Sequence, residues 1–268
     1  MTAAEPLLQT MAMEQEPLVY NHLLPDRGHT DALAFVADLR GRAKVGSRPY
    51  TVVNFVASTD GHATVDGRSG KLSEAGDKEI FRALRECCDA VLAGTVTMRS
   101  ERYGRTLPAP ERRERRLQAG RSAEPLAVLI SRSGELPSEI PLFSEPESDV
   151  VIFSPTAPAL RESTARITHE PLYPAAEAPL TDALRILRRD HGVELLLCEG
   201  GPQFFNALLH ENLVDELFLT LSPKLVGGSD GPGITAGSAL VGLEQLELSA
   251  VLEREGVLFL RYRLGGNR

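Results

Sequence analysis

Glu199-Gly200-Gly201-Pro202 is the stretch of this chain where residue types and spacing come closest to chemistry. Two glycines let a ligand approach the backbone with no Cβ in the way, and a proline suits the first helical position, where its missing N–H costs nothing. A helix starting there presents free N–H groups to an anion such as a dinucleotide pyrophosphate. An ordinary tight strand-to-helix turn uses the same residues, so the stretch alone leaves both readings open. Glu199 is separate: a carboxylate that ends a buried strand needs a reason to be there. The chain has no CxxC, no HExxH and no His-x-Glu followed by Pro-Cys-x-x-Cys, which argues against a zinc protease, a structural zinc site or a zinc deaminase, and no metal is expected.

The elements that must position these residues show in the patterning. Val193 to Cys198 reads as a buried strand, and Phe204, Phe205, Leu208 and Leu209 recur at helical spacing after it. Earlier, Tyr50 to Ala57 reads as the first core strand, Glu74 to Cys88 as a helix and Asp89 to Ala93 as a strand. Leu126 to Ile130 and Val150 to Phe153 are two more buried strands, and Thr181 to Asp190 is a helix closed by Gly192. A short helix is expected within Pro155 to Ser163, and another over Asp31 to Arg42. The charged run Glu111 to Arg116 is either a phosphate patch or a solvated face, the second being the commoner use of mixed charge. Strands alone close the chain: Glu216 to Leu221, then Gln245 to Leu252 and Val257 to Leu264 as an antiparallel hairpin.

Alternating strands and helices from residue 50 to 212 predict an α/β fold with three αβα layers, a largely parallel sheet and an antiparallel C-terminal edge. In such a sheet ligands bind beyond the carboxyl ends of the strands, so the loops at 58–70, 94–97, 131–133 and 199–202 should converge on one cleft. Residues 1–46 are expected to form an N-terminal arm and helix, with 1–29 loosely held, and 47–268 the main domain.

Composition bounds the partners. The 268 residues are 42% hydrophobic and 25% charged with a net charge of −8, an ordinary globular balance that favours neither nucleic acid nor an anionic membrane surface. No apolar run approaches the ~20 residues of a membrane span, and the first 20 residues carry no basic group, so a cytoplasmic location is expected. Cys87, Cys88 and Cys198 all lie in apolar segments and read as buried reduced thiols.

There is no GxGxxG after the first strand, no GxxxxGK[ST] and no GxSxG. What is present has an order: Ala57-Ser58-Thr59-Asp60-Gly61 at a strand end, Ser69-Gly70 with Ser73, Leu84-Arg85 closing a helix, Asp89-Ala90 leading to Gly94 and Thr97, and the Glu199 to Pro202 turn. This resembles the riboflavin-biosynthesis reductases, the RibD C-terminal-domain family built on the dihydrofolate reductase fold, from about Arg48 to Arg263. It is most similar to the stand-alone pyrimidine-reductase-like members without a deaminase domain.

The resemblance implies NADPH as hydride donor and a phosphoribosylaminouracil whose ribose is reduced to a ribityl chain. Reduction of dihydrofolate or another heterocycle on the same fold stays open, as does NADPH binding without turnover. It implies that Gly94, Thr95 and Thr97 lie along the cofactor, that Gly200, Gly201 and Pro202 with the N–H groups of Gln203 and Phe204 form a second phosphate cradle, and that Ser131 and Arg132 read the 2′-phosphate. Asp60 and Glu199 are the implied catalytic carboxylates, and Asn54, Ser69, Lys71, Arg85 and Glu101 the implied substrate side. His62 stands where the family often has Lys or Arg, Glu101-Arg102 stands where it often has two Asp, and Arg105 is the match for a substrate-phosphate arginine. A homodimer is also implied, with the terminal hairpin as an interface.

Overall fold

A computed structural model describes residues 17–44, 46–160, 163–228 and 231–265. Most of the expected N-terminal arm, residues 1–16, lies outside the described residues. Its remainder is built into the sheet: β1 (Tyr20–Leu24) pairs with the C-terminal hairpin and with β2 (Gly28–Thr30), and Tyr20 is fully buried. A loose arm was expected there because polar residues and prolines dominate; edge pairing supplied the hydrogen bonds that the composition did not advertise.

The chain continues through α1 (Ala32–Val36), α2 (Leu39–Arg42), β3 (Tyr50–Ser58), α3 (Ala75–Cys87), β4 (Ala90–Gly94), α4 (Thr95–Ser100), α5 (Pro110–Gln118) and β5 (Leu126–Ile130). Then come β6 (Asp149–Ser154), β7 (Arg166–Pro171), α6 (Pro179–Asp190), β8 (Leu195–Cys198), α7 (Pro202–His210), β9 (Glu216–Ser222), β10 (Leu246–Arg254) and β11 (Val257–Leu264). The sheet has 11 strands in the order β2-β1-β10-β11-β9-β3-β8-β4-β5-β6-β7. From β9 to β7 every pairing is parallel, and from β9 outward through β11, β10, β1 and β2 every pairing is antiparallel.

The central strands are apolar along their whole length because both faces are covered. Along β8, Leu195 and Leu197 face the core under α1, α2 and α3, while Leu196 and Cys198 face the core under α6 and α7. That is a three-layer mixed sheet with helices on both faces and an antiparallel edge, as the alternation of strands and helices predicts. The hairpin of β10 and β11 turns at Glu255-Gly256, both with positive φ (53° and 79°), the twist a two-residue turn requires.

Three local expectations differ. The helix expected over 31–42 is broken between α1 and α2, where the Asp38 carboxylate is drawn to Arg42 (2.9 Å) and to Arg261 of β11 (2.8 Å). No helix forms over 155–160; β7 follows instead and adds an edge strand whose alternating exposure a run search for buried strands passes over. The charged run in α5 is a solvated face only in part: Glu111 and Glu114 are exposed, whereas Arg112 and Arg115 both bind the Glu86 carboxylate. Arg116, 1% exposed, donates to the Glu86 and Cys88 carbonyls at 2.9 and 2.6 Å. Those carbonyls close α3 and lack helical partners, so the arginine supplies them.

Candidate active site

The carboxyl ends of β3, β4 and β8 open into one cleft of about 590 Å³. Glu199 leaves β8 with its N–H still bonded to the Leu92 carbonyl of β4 (2.8 Å), which aims its side chain at the cleft floor. Arg85 comes from the last turn of α3 and meets it in a two-point pair, Nε to Oε1 at 2.7 Å and Nη2 to Oε2 at 2.6 Å. Such fork-to-fork pairs are the strong, geometrically specific kind. A third donor reaches the same carboxylate: the Tyr103 hydroxyl bonds Oε2. The Arg85 Nη1 donates to the Thr106 carbonyl at 3.0 Å, and its guanidinium lies 4.3 Å from the Phe81 ring centre and 5.3 Å from that of Tyr103. Both charged side chains are buried, at 13% and 4% exposure for Arg85 and Glu199.

Burial works against the charged guanidinium of Arg85, but the Glu199 carboxylate overrides it and holds the arginine pKa above its ordinary value. Burial first, and the Glu199 charge second, push the Tyr103 phenol well above its ordinary range, so it acts as a donor.

Of the cofactor-side residues expected from the sequence, Gly94, Thr97, Gly201 and Phe204 meet along one seam between the starts of α4 and α7, whereas no contact brings Ser131 or Arg132 to it among the described residues. Gly94 begins α4, Gly201 begins α7 with Pro202 at its first turn, and a Cβ at Gly201 would stand 3.0 Å from the Thr97 hydroxyl. A Cβ at Gly94 would stand 3.9 Å from Phe204. Thr95 is half-buried and Gln203 exposed on the helices that flank the seam. One expected donor is not free: the Phe204 N–H bonds the Gly201 carbonyl at 2.9 Å inside the turn itself. Ser131, buried at the end of β5, donates to the Glu135 carbonyl at 2.7 Å, and Arg132 beside it is exposed with no ion pair among the described residues.

On the other side of the cleft, Asn54, Ser69 and Glu101 contribute to the lining with Arg85, whereas Asp60 and Lys71 do not. Lys71 is paired with Asp66 at 2.6 Å on the surface. Asp60 acts as a clasp: its carboxylate accepts from Ser58 Oγ (2.5 Å), Gly227 N (2.7 Å) and Val226 N (3.1 Å), which ties the β9–β10 loop to the end of β3. Chiefly the Ser58 hydroxyl, then the Gly227 N–H, holds its pKa down at about 2. His62 is buried 4.0 Å from that carboxylate and packs on Gly231. Arg105 is committed elsewhere, to Glu124 (2.7 Å) and Glu147 (2.6 Å).

Among the lining residues that were not foreseen are Tyr103, Lys78 and Arg102. Tyr103 lies in a charged, turn-rich stretch with no periodicity to mark it, and Lys78 and Arg102 look like ordinary surface cations in sequence. In the structure Lys78 and Arg102 are the cations of the cleft lining that have no ion pair among the described residues. Among the described residues there is also no group of three or more His, Cys, Asp or Glu able to hold a metal ion.

A family model for the RibD C-terminal domain matches residues 49–255. The chain belongs to the RibD C-terminal domain family. Within it, the chain is 28% identical over 196 residues to a 2,5-diamino-6-ribosylamino-4(3H)-pyrimidinone 5′-phosphate reductase of Archaeoglobus fulgidus, covering 72% of this chain and 89% of that protein. It is 26% identical over 195 residues to the protein of the same name from Methanothermobacter thermautotrophicus, covering 72% and 86%. Among solved structures, a pyrimidine reductase-like protein from Corynebacterium diphtheriae superposes with a TM-score of 0.71 at 24% identity, covering 82% of this chain and 93% of that one. The riboflavin biosynthesis reductase of Saccharomyces cerevisiae superposes at 0.66 with 16% identity, covering 88% and 100%. At these identities the structural matches speak for the RibD-type fold.

Proposed function

We propose that this RibD-family chain is an NADPH-dependent reductase of a phosphorylated ribosylamino-pyrimidine, converting the ribose to a ribityl chain. The substrate is either 5-amino-6-(5-phosphoribosylamino)uracil or the 2,5-diamino-pyrimidinone named for its relatives. The observation that carries the reading is the junction, within one cleft, of a glycine-built seam and a buried Glu199–Arg85 pair.

The residues present fit the dinucleotide. At Gly201 a side chain would crowd Thr97 across the seam, so the bare backbone there is what keeps the wall open. Gly94, Thr95, Thr97, Gly200, Gly201, Pro202 and Gln203 would lie along the pyrophosphate and nicotinamide side, and Ser131 with Arg132 would take the 2′-phosphate. When bound, the cofactor supplies the hydride. The chain supplies the rest: Glu199 accepts a hydrogen bond from the substrate, Arg85 neutralises that carboxylate, and Lys78 with Arg102 faces the substrate phosphate. Arg85 itself is spent on Glu199 and Thr106, so the phosphate task expected of it falls to those two cations.

Absorbance at 340 nm with NADPH and each of the two pyrimidine phosphates tests the reading, with dihydrofolate as the competing substrate. Consumption of NADPH with a pyrimidine phosphate is expected; oxidation with dihydrofolate alone would replace the substrate, and NADPH binding without turnover of any of the three would reduce the chain to a cofactor-binding protein. The free, buried thiols suit a reducing cytoplasm, and no helix among the described residues is long and apolar enough to cross a membrane. A homodimer is part of the proposal: Val241, Leu243, Leu246 and Leu248 leave an exposed apolar strip beside and along β10. Sedimentation should give a dimer that Leu246→Lys with Leu248→Lys converts to monomer; a monomeric wild type would remove this part.

A further inference from the structure

Three donors converge on the Glu199 carboxylate, and their distribution is uneven. Among the described residues Oε1 accepts only from Arg85 Nε, whereas Oε2 accepts from both Arg85 Nη2 and the Tyr103 hydroxyl. A carboxylate offers about four lone-pair sites, two on each oxygen. Oε2 is therefore filled, and one site on Oε1 is left in a side chain that lines the cleft.

Tyr103 is held rigidly for this task. Arg102 before it has φ +49°, a left-handed turn that leaves Arg102 exposed while the tyrosine ring turns inward. The Tyr103 N–H bonds the Met98 carbonyl at 3.0 Å, and its own carbonyl accepts from Leu142 N–H at 2.9 Å, so both backbone groups are clamped. The ring also packs 5.3 Å from the guanidinium it shares the carboxylate with.

Resting on the reductase reading above, we propose that Tyr103 is a positioning residue. By filling Oε2 it leaves Glu199 as a one-site acceptor that presents only Oε1 to an N–H or O–H of the pyrimidine substrate. Glu199 then fixes the base by accepting, and it is not the group that donates a proton to the reacting sugar. Without the phenol, the carboxylate is free to rock on the arginine fork and to offer either oxygen. Loosening an acceptor that serves ground state and transition state alike raises KM and leaves kcat near its starting value.

The test compares wild type, Tyr103→Phe, Glu199→Gln and the double variant in steady-state NADPH oxidation with the pyrimidine phosphate. Tyr103→Phe keeps the ring against Arg85 and removes only the hydroxyl. Its KM for the pyrimidine should rise by about tenfold, the scale of one hydrogen bond to a charged group. Its kcat and NADPH affinity should stay close to wild type, and its urea midpoint should fall, since a buried hydrogen bond to a charged group is lost from the fold as well. Because Tyr103 acts through Glu199, adding Tyr103→Phe to Glu199→Gln should raise KM little further. An unchanged KM in Tyr103→Phe, or KM effects that multiply in the double variant, would overturn the role while leaving the reductase reading intact. A wild type that oxidises no NADPH with either pyrimidine overturns that reading first, and this role with it.

Discussion

Gly200 and Gly201 are neighbours with different work, and alanine at each should separate the two. At Gly200 a Cβ would stand 3.1 Å from both Cβ and Cγ of Phe204, with a ring carbon closer still. Phe204 packs against the core under α6 and α7, so it cannot retreat without shifting its neighbours, and overpacking of this kind costs about 1–3 kcal/mol. At Gly201 the backbone has φ −64° and ψ 174°, which any residue accepts, and the one neighbour within 4 Å is the Thr97 hydroxyl at 3.0 Å. The Thr97 side chain need give by only a few tenths of an ångström, so Gly201→Ala should hold stability within about 0.5 kcal/mol of wild type. Its new methyl projects into the seam proposed for NADPH, and NADPH should bind about tenfold more weakly, a loss of about 1.4 kcal/mol. Urea denaturation gives the stabilities, and quenching of NADPH fluorescence or energy transfer to it gives the affinities. Gly201→Ala with wild-type NADPH affinity would refute the placement of the cofactor. Equal losses of stability in both variants would refute the packing argument.

Arg85→Met should destabilise the fold by about 3–5 kcal/mol, because it strands the Glu199 carboxylate in a buried site, and Arg85→Met with Glu199→Leu should recover much of that loss; urea midpoints of the three proteins check it, and a double variant no better than the single would count against the pairing. The Asp60 clasp has its carboxyl lowered from 3.8 to about 2, so its contribution is complete above the unfolded value and is lost only as pH falls through about 2. Amide exchange at Val226 and Gly227, corrected for intrinsic rate, should therefore stay equally protected from pH 8 to 4, and Asp60→Ala should lose that protection across the whole range; a clasp that opens near pH 5 in wild type would contradict it.

The layered α/β architecture was legible because both its signals are local. Apolar runs of strand length mark strands buried on both faces, as β4, β5, β6 and β8 are, and amphipathic stripes mark α3 and α6. What escaped were elements whose stability comes from elsewhere in the chain. β1 is a strand because β10 offers it an edge, and β7 because β6 does. Arg112, Arg115 and Arg116 read as a solvated run because nothing in their spacing shows that Glu86 and the end of α3 lie beneath them.

The site divides along the same line. That loops after several strands would meet was deducible from the parallel sheet, and Thr97 and Gly201 do meet across the seam. That Glu199 required a partner was deducible too, since a carboxylate ending a buried strand is costly alone. Which group would answer it was not, because Arg85 is 114 residues away and Tyr103 is 96. Taken singly, Arg85 suits a phosphate and Glu199 suits proton transfer. Paired, each cancels the other's independent task, and what remains is narrower: a neutralised, three-donor carboxylate with one open site. In the reading proposed above, phosphate recognition falls to cations left unpaired, and Lys78 and Arg102 are the two in the cleft lining that meet that condition among the described residues. On that proposal, long-range pairing moves two functions away from the side chains that residue type alone would suggest for them.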